Sequence, residues 1–161
     1  MALEIIRIGR YRARFASSEI DVSAAQSLRY KCFNLSNKVE LDVDEFDIPC
    51  RHVLVENLES KKLICCYRIM IFDNGKEISN SYSSQFYDLK AIESFPDPMI
   101  EVGRFCVQPE IMIQVLYLLR GLHWHKLLTK TRHSFFLVVL HLKALKRKSI
   151  LIVLHCCAID I

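Results

Sequence analysis

Apolar and polar residues alternate over residues 11–15 (Tyr-Arg-Ala-Arg-Phe), and this period of two predicts a strand. Ser17, Ser18 and Glu19 read as a turn and helix cap. The period then lengthens over residues 20–33, which predicts a helix with Ile20, Ala24, Leu28 and Cys32 on one face. Residues 34–40 are polar and irregular, and residues 41–50 carry the acidic run D-V-D-E-F-D, read as a loop. Alternation returns at 52–56, a turn is expected over 57–62, and residues 63–72 form the partner strand of a hairpin. Asp73-Asn74-Gly75 is a turn signal. After the polar stretch 79–84, a short helix is expected over 86–92, stopped by Pro96 and Pro98. A strand follows over 100–107 and is closed by Pro109.

From residue 111 the pattern changes. Residues 111–124, 134–142 and 149–161 are apolar without a clean stripe, and a basic run at 143–148 interrupts them. None reaches the roughly 18 uninterrupted apolar residues of a membrane-spanning helix. No glycine follows Gly121 and no proline follows Pro109, whereas α/β regions with several turns usually carry such residues.

The 161 residues suit one domain. Hydrophobic residues make up 52% and charged residues 25%, which fits a globular core and excludes a disordered or fibrous chain. A net charge of +4 allows an anionic partner, but no nucleic-acid-binding motif accompanies it, so nucleic acid is not an expected partner. The seven cysteines are odd in number and lack C-x-x-C spacing, so free thiols in a reducing compartment are expected, with no metal. Five of the six histidines lie after residue 120, and none forms H-E-x-x-H.

The residues able to do chemistry are Arg29, Phe33, Asp44, Asp47, Arg68, Glu101 and Arg104. Asp44 and Asp47 could be a solvated acidic loop or could hold a cationic amine. Glu101 sits on an apolar strand, where a charge is costly unless paired. Arg68 and Arg29 are its expected partners, and a structural ion-pair network is the competing reading. Glu101 and Arg104 are three apart, so a regular strand would point them to opposite faces unless a bulge intervened. Such a set suits acyl transfer from a thioester to an amine. A carboxylate would take the amine proton and backbone N–H groups would stabilise the oxyanion. Cys106 has no histidine at a local spacing, which argues against a covalent route.

Four segments carry a family resemblance: A-A-Q-S-L-R-Y-K-C-F (24–33), D-V-D-E-F-D-I-P-C-R-H-V-L-V (42–55), C-Y-R-I-M (66–70) and E-V-G-R-F-C-V-Q-P-E (101–110). Over about residues 7–110 the chain resembles the ornithine-lipid synthesising L-ornithine N-alpha-acyltransferases. These are related to acyl-homoserine-lactone synthases, which share the seven residues named above. The lactone synthases typically carry a tryptophan after Phe33, which is missing here. The resemblance implies an α/β, GNAT-like acyltransferase fold with a central mixed sheet. It implies a 3-hydroxyacyl donor on the phosphopantetheine of acyl carrier protein, and the α-amine of L-ornithine as acceptor. No bound cofactor is implied, and the product would be lyso-ornithine lipid. By the same resemblance Glu101 and Asp44 handle the amine, and Asp47, Arg29, Arg68 and Arg104 shape the substrate site. Phe33 would wall the acyl or pantetheine channel. Cys65 and Cys66 stand where the family usually has glycine and threonine, and crowding of the sheet is expected there. A lactone-synthase-like enzyme using S-adenosylmethionine and a non-catalytic carrier-protein-binding fragment are the alternatives.

The resemblance breaks after Glu110. The family continues with a donor loop and a strand reading F-G-C-S-S-F, and neither is present. A one-base shift of reading frame would restore Tyr-His-Asp-Pro across residues 111–114 and that strand signature across 136–144. Residues 1–110 are therefore expected to be the N-terminal part of the acyltransferase domain, and 111–161 a divergent or frameshift-derived tail. The C-terminal half would then be incomplete or aberrant, activity impaired, and the sheet left without its closing strand. A cytoplasmic location is expected, with peripheral contact to the inner face of the cytoplasmic membrane through Lys143, Lys146, Arg147 and Lys148.

Overall fold

The computed structural model describes residues 4–34, 40–108, 135–140 and 150–155. Its strands are β1 (Glu4–Ile8), β2 (Tyr11–Phe15), β3 (Arg51–Asn57), β4 (Lys62–Phe72), β5 (Met99–Val107), β6 (Phe135–Leu140) and β7 (Ile150–His155). They form one sheet in chain order. One α-helix, α1 (Glu19–Asn34), and four short 3₁₀ turns complete the described residues. The chain divides into two compact units, Met1–Arg68 with Arg104–Trp124, and Ile69–Gly103 with His125–Ile161.

In the first unit β1, β2 and β3 are antiparallel. β1 was not expected from the sequence; Gly9, at φ 55°, turns it into β2. The β2–β3 register sets Arg12 directly across from Glu56, and Arg12 Nη2 donates to Glu56 Oε2 at 2.7 Å. Arg14 reaches both Glu56 on β3 and Asp21 on α1, at 2.7 and 2.8 Å. This ion pairing ties the helix's first turn to the strands. The Asp21 amide donates to Ser18 Oγ, and the Asp21 carboxylate accepts from the Ser17 amide, which fixes where the helix begins. The β3–β4 turn is set by Asn57, whose side-chain oxygen accepts from the amides of Glu59 and Ser60.

The predicted helix face holds at Leu28 and Cys32, which are in or against the core, and fails at its first half. Ile20 is 81% exposed and Ala24 is exposed, whereas Ala25, Leu28 and Arg29 are buried. A core of Ala25, Leu28, Leu54, Cys66 and Cys106 forms beneath it, flanked by Cys32 and Phe33. The adjacent Cys65 and Cys66 are accommodated, both being buried, with Cys66 Sγ donating to the Ala25 carbonyl at 3.6 Å.

In the second unit, Asp73-Asn74-Gly75 turns the chain as expected, and Asn74 caps the 3₁₀ turn Gly75–Asn80. The predicted α-helix over 86–92 is absent; a 3₁₀ turn at Lys90–Ile92 forms its last part, and another at Ser83–Gln85 precedes it. β5 pairs in parallel with β6, and β6 pairs antiparallel with β7. The sheet, expected to lack its closing strand, therefore continues past β5. The apolar segments F-F-L-V-V-L and I-L-I-V-L-H each extend the sheet, as β-branched runs of this length can. The rest of the expected tail, including the basic run at 143–148, lies outside the described residues.

Gly75 is packed where no side chain fits: a Cβ there would stand 2.1 Å from the Ile92 carbonyl oxygen. Gly75→Ala should lower the free energy of unfolding by about 1–3 kcal/mol, as overpacking does. Urea denaturation reads this directly; an unchanged midpoint would show that the 92–93 backbone yields freely.

Candidate functional site

The helix carries Arg29 on its buried face, with the side chain 1% exposed. Such a charge needs acceptors for its donors. Nε donates to Asp42 Oδ2 at 2.9 Å, Nη1 to Asp47 Oδ1 at 2.8 Å, and Nη2 to Asp47 Oδ2 at 2.9 Å and to the Asp42 carbonyl. Gln26, one turn earlier on the helix, donates to Asp47 Oδ2 at 2.9 Å.

The acidic run supplies these acceptors because it closes on itself. Asp44 caps the 3₁₀ turn Glu45–Asp47: its Oδ1 accepts from the Phe46 amide, while the Asp47 carboxylate accepts from the Asp44 amide. Both carboxylates therefore have fixed directions. Arg68 on β4 donates to Asp44 and, at 2.9 Å, to Asp47. Arg104 on β5 donates through Nη2 to Asp44 Oδ2 at 2.7 Å, and its guanidinium lies 5.3 Å from the centre of the Phe33 ring. Arg104 has φ 52°, a left-handed conformation rare for residues other than glycine. Three aspartates and three arginines from α1, the acidic loop, β4 and β5 thus form one charge-balanced cluster.

Burial pulls the Asp44 carboxyl upward, but the hydrogen bonds from Arg68 and Arg104 outweigh it and hold it below the usual carboxylate range. Asp47 is held well below that range against the same burial by Arg29, Gln26 and Arg68. Burial lowers the proton affinity of His52 on β3; Arg29 and Arg68 add to this, while Asp47 opposes it. His52 Nε2 is 3.2 Å from the Asp47 carbonyl oxygen, which can only accept, so Nε2 carries the proton. Nδ1 is buried and has no hydrogen-bond partner among the described residues.

Of the residues singled out from sequence, Arg29, Phe33, Asp44, Asp47, Arg68 and Arg104 come together here. One expectation is corrected. Arg68 and Arg29 do not pair with Glu101; the aspartates take them. Both oxygens of Asp44 accept hydrogen bonds, Oδ1 from the Phe46 amide and Arg68, and Oδ2 from Arg104. Glu101, in the second unit, is 3% exposed. It accepts from the Tyr82 amide through Oε2 at 3.0 Å, and from the Ser83 amide at 2.9 Å and the Ser83 hydroxyl through Oε1. The strand's buried carboxylate is thus paired with neutral donors rather than with arginine. Asp42, Gln26, His52 and Ser83 were missed. Asp42 lies in the acidic run and Gln26 one turn before Arg29, so both had a local signal; His52 and Ser83 had none.

Cys106 is buried. Its hydrogen bond with Cys32 favours the thiolate, but that with Cys66 and the burial itself prevail and push the thiol well above its usual range. This environment suits an inert core thiol. Among the described residues no group of histidine, cysteine or carboxylate side chains could hold a metal ion, and no helix is long and apolar enough to cross a membrane.

A mixed sheet with one helix packed on it, and a preorganised set of arginines and carboxylates at its strands, fits a GNAT-fold acyltransferase. The acetyltransferase (GNAT) domain family matches residues 28–119, and the chain belongs to that family. It is related to the L-ornithine N(alpha)-acyltransferase of Brucella abortus (strain 2308), with 30% identity over 125 residues that cover 68% of this chain and 44% of that protein. The enzyme of the same name from Agrobacterium fabrum (strain C58 / ATCC 33970) is 30% identical over 120 residues, covering 65% and 41%. The chain spans less than half the length of these curated relatives. Two solved structures share the fold at 15% identity. FeeM, an N-acyl amino acid synthase from uncultured soil microbes, superposes with a TM-score of 0.56, covering 83% of this chain and 73% of that one. The AHL synthase LasI superposes with 0.52, covering 84% and 75%.

The cluster's pH dependence has a definite sign. His52 is neutral when folded, so its contribution to stability is complete above about pH 6.5, its unfolded value, and declines as pH falls below it. Asp44 and Asp47 contribute fully above about pH 3.9 and lose that contribution as pH falls through their depressed folded values. The unfolding free energy should therefore slope downward from about pH 6.5 and more steeply below about pH 4. In His52→Gln the upper slope should flatten; an unaltered profile would show that another group sets it. Asp47→Asn should cost about 3 kcal/mol by leaving Arg29 underpaired in a buried site. Urea titrations at stepped pH measure both.

Proposed function

We propose that this domain serves N-acyl transfer, from a 3-hydroxyacyl thioester on the phosphopantetheine arm of acyl carrier protein to the α-amine of L-ornithine, giving lyso-ornithine lipid. The observation that carries the reading is that the four resembling segments supply the arginine–aspartate cluster and the carboxylate of Glu101. Residues 24–33, 42–55, 66–70 and 101–107 supply Arg29 and Phe33, the three aspartates, Arg68, and Glu101 with Arg104. The relation to curated enzymes named for ornithine acylation supports ornithine as the acceptor.

In this reading the amine attacks the thioester carbonyl. A C–N bond forms, the C–S bond breaks, and the pantetheine sulfur leaves as a thiolate that takes up a proton. Glu101 accepts the amine proton. Asp44, with both oxygens engaged, acts by holding Arg68 and Arg104. Arg104 is 19% exposed against 1% for Arg29 and 3% for Arg68, so it is the arginine of the cluster presented to an anionic substrate group. Asp47 and Arg29 lock the loop, and Phe33 supports Arg104. The domain would work in the cytoplasm, peripherally at the inner membrane face where a lipid product belongs.

Incubating the 161-residue chain with 3-hydroxyacyl carrier protein and either L-ornithine or S-adenosylmethionine tests this. The expected product by mass spectrometry is N-acylornithine, with none from S-adenosylmethionine. Acyl-homoserine lactone instead would move the assignment to the lactone synthases. A parallel version carrying the frame-restored sequence after Glu110 separates a defect of the tail from a wrong substrate. Glu101→Gln should lower turnover by at least about 100-fold, the lower end of what a general base contributes, with the unfolding midpoint near wild type.

A further inference from the structure

The surroundings of Glu101 assign work to a residue that no sequence motif marked. A carboxylate offers about four acceptor positions, two on each oxygen. On Oε1 both are filled, by the amide and the hydroxyl of Ser83. On Oε2 the Tyr82 amide fills one at 3.0 Å. Among the described residues nothing fills the other.

This asymmetry comes from the chain's own geometry. The 3₁₀ turn Ser83–Gln85 begins immediately after Tyr82, so successive amides of its first residues point the same way. Ser83 is 0% exposed, so its hydroxyl is committed rather than shared with water. The Ser81 side chain braces the turn by accepting from the Ser84 amide at 3.1 Å. Leaving an acceptor position open on a carboxylate only 3% exposed is unfavourable unless a donor arrives there.

We propose that Ser83 is a positioning residue. Together with the Tyr82 amide it occupies three of the four acceptor positions of Glu101 and leaves a single position on Oε2, where an amine N–H is received. This deepens the reading of Glu101 as the group that takes the amine proton, and rests on it. Ser83 selects which oxygen and which direction the acceptor uses; it does not touch the substrate. Without its hydroxyl, Oε1 gains a competing open position, and the amine has two places to bind, one of them unproductive.

The test uses the 161-residue chain labelled with ¹³C at glutamate side-chain carboxyls, the Glu101 resonance being the one absent from Glu101→Gln. L-ornithine is titrated in without acyl donor. In the wild-type chain ornithine should shift the Glu101 resonance. In Ser83→Ala that shift should fall at least about fivefold, while the amide exchange rates elsewhere and the thermal midpoint stay close to wild type. Ser83→Thr, which keeps the hydroxyl, should recover the response. Equal ornithine responses in wild type and Ser83→Ala would overturn the role of Ser83 while leaving Glu101 as the acceptor. No response of Glu101 in the wild type would overturn the underlying reading and this proposal with it. Loss of amide protection across the chain in Ser83→Ala would make the hydroxyl a structural anchor only.

Discussion

A guanidinium buried in a helix face is the constraint around which the first unit is arranged. Removing a charge of this size from water costs several kcal/mol, and a single partner returns only part of it. Arg29 is almost fully buried, so its donors need acceptors. The main chain and side chain of Asp42 supply two and the two oxygens of Asp47 supply two more, which meets four of its five N–H groups. That demand bends the acidic loop back against α1, with the Asp42 amide donating to the Gln26 carbonyl at 3.2 Å. Once Asp47 is fixed, the reciprocal cap fixes Asp44, and Asp44 in turn sets Arg68 and Arg104.

The same arithmetic separates the roles of the carboxylates. Asp44 and Asp47 are surrounded by guanidiniums, which stabilise their ionised forms and consume their lone pairs. A carboxylate so placed holds structure well and takes protons poorly. Glu101 meets amides and one hydroxyl, donors that orient it without adding a positive charge. The two kinds of carboxylate thus differ in their donors, and among the described residues Glu101 alone of the three keeps an unfilled acceptor position.

Much of the fold was readable because local patterns and tertiary structure agree: β2, β3, β4 and β5 fall within a residue or two of the alternating stretches, and α1 matches its period. The first half of the helix face was misread for a physical reason. A hydrophobic stripe through Ile20 and Ala24 assumes that the buried face is apolar, whereas this helix turns Gln26 and Arg29 inward to meet carboxylates. The partner of Glu101 was misread for a related one. Electrostatics favoured an arginine, but the aspartates claim Arg29 and Arg68, and a carboxylate can also be satisfied by backbone amides, which leave no trace in side-chain identity. The 3₁₀ turn that provides them was equally hidden, since its polar serines look like any solvated loop.

Arg104 shows how a local irregularity serves the cluster. A non-glycine residue in the left-handed region costs roughly 1–2 kcal/mol. Gly103 precedes it, with no described heavy atom within 4 Å of where its Cβ would stand. The bond from Arg104 to Asp44 at 2.7 Å and its packing over Phe33 offset the strain. A left-handed residue interrupts the strict two-residue alternation of β5, as a bulge does. The burial pattern records this: four buried residues, three half-buried ones at Gly103, Arg104 and Phe105, then two buried again. The E-V-G-R-F motif therefore encodes a break as much as a set of side chains.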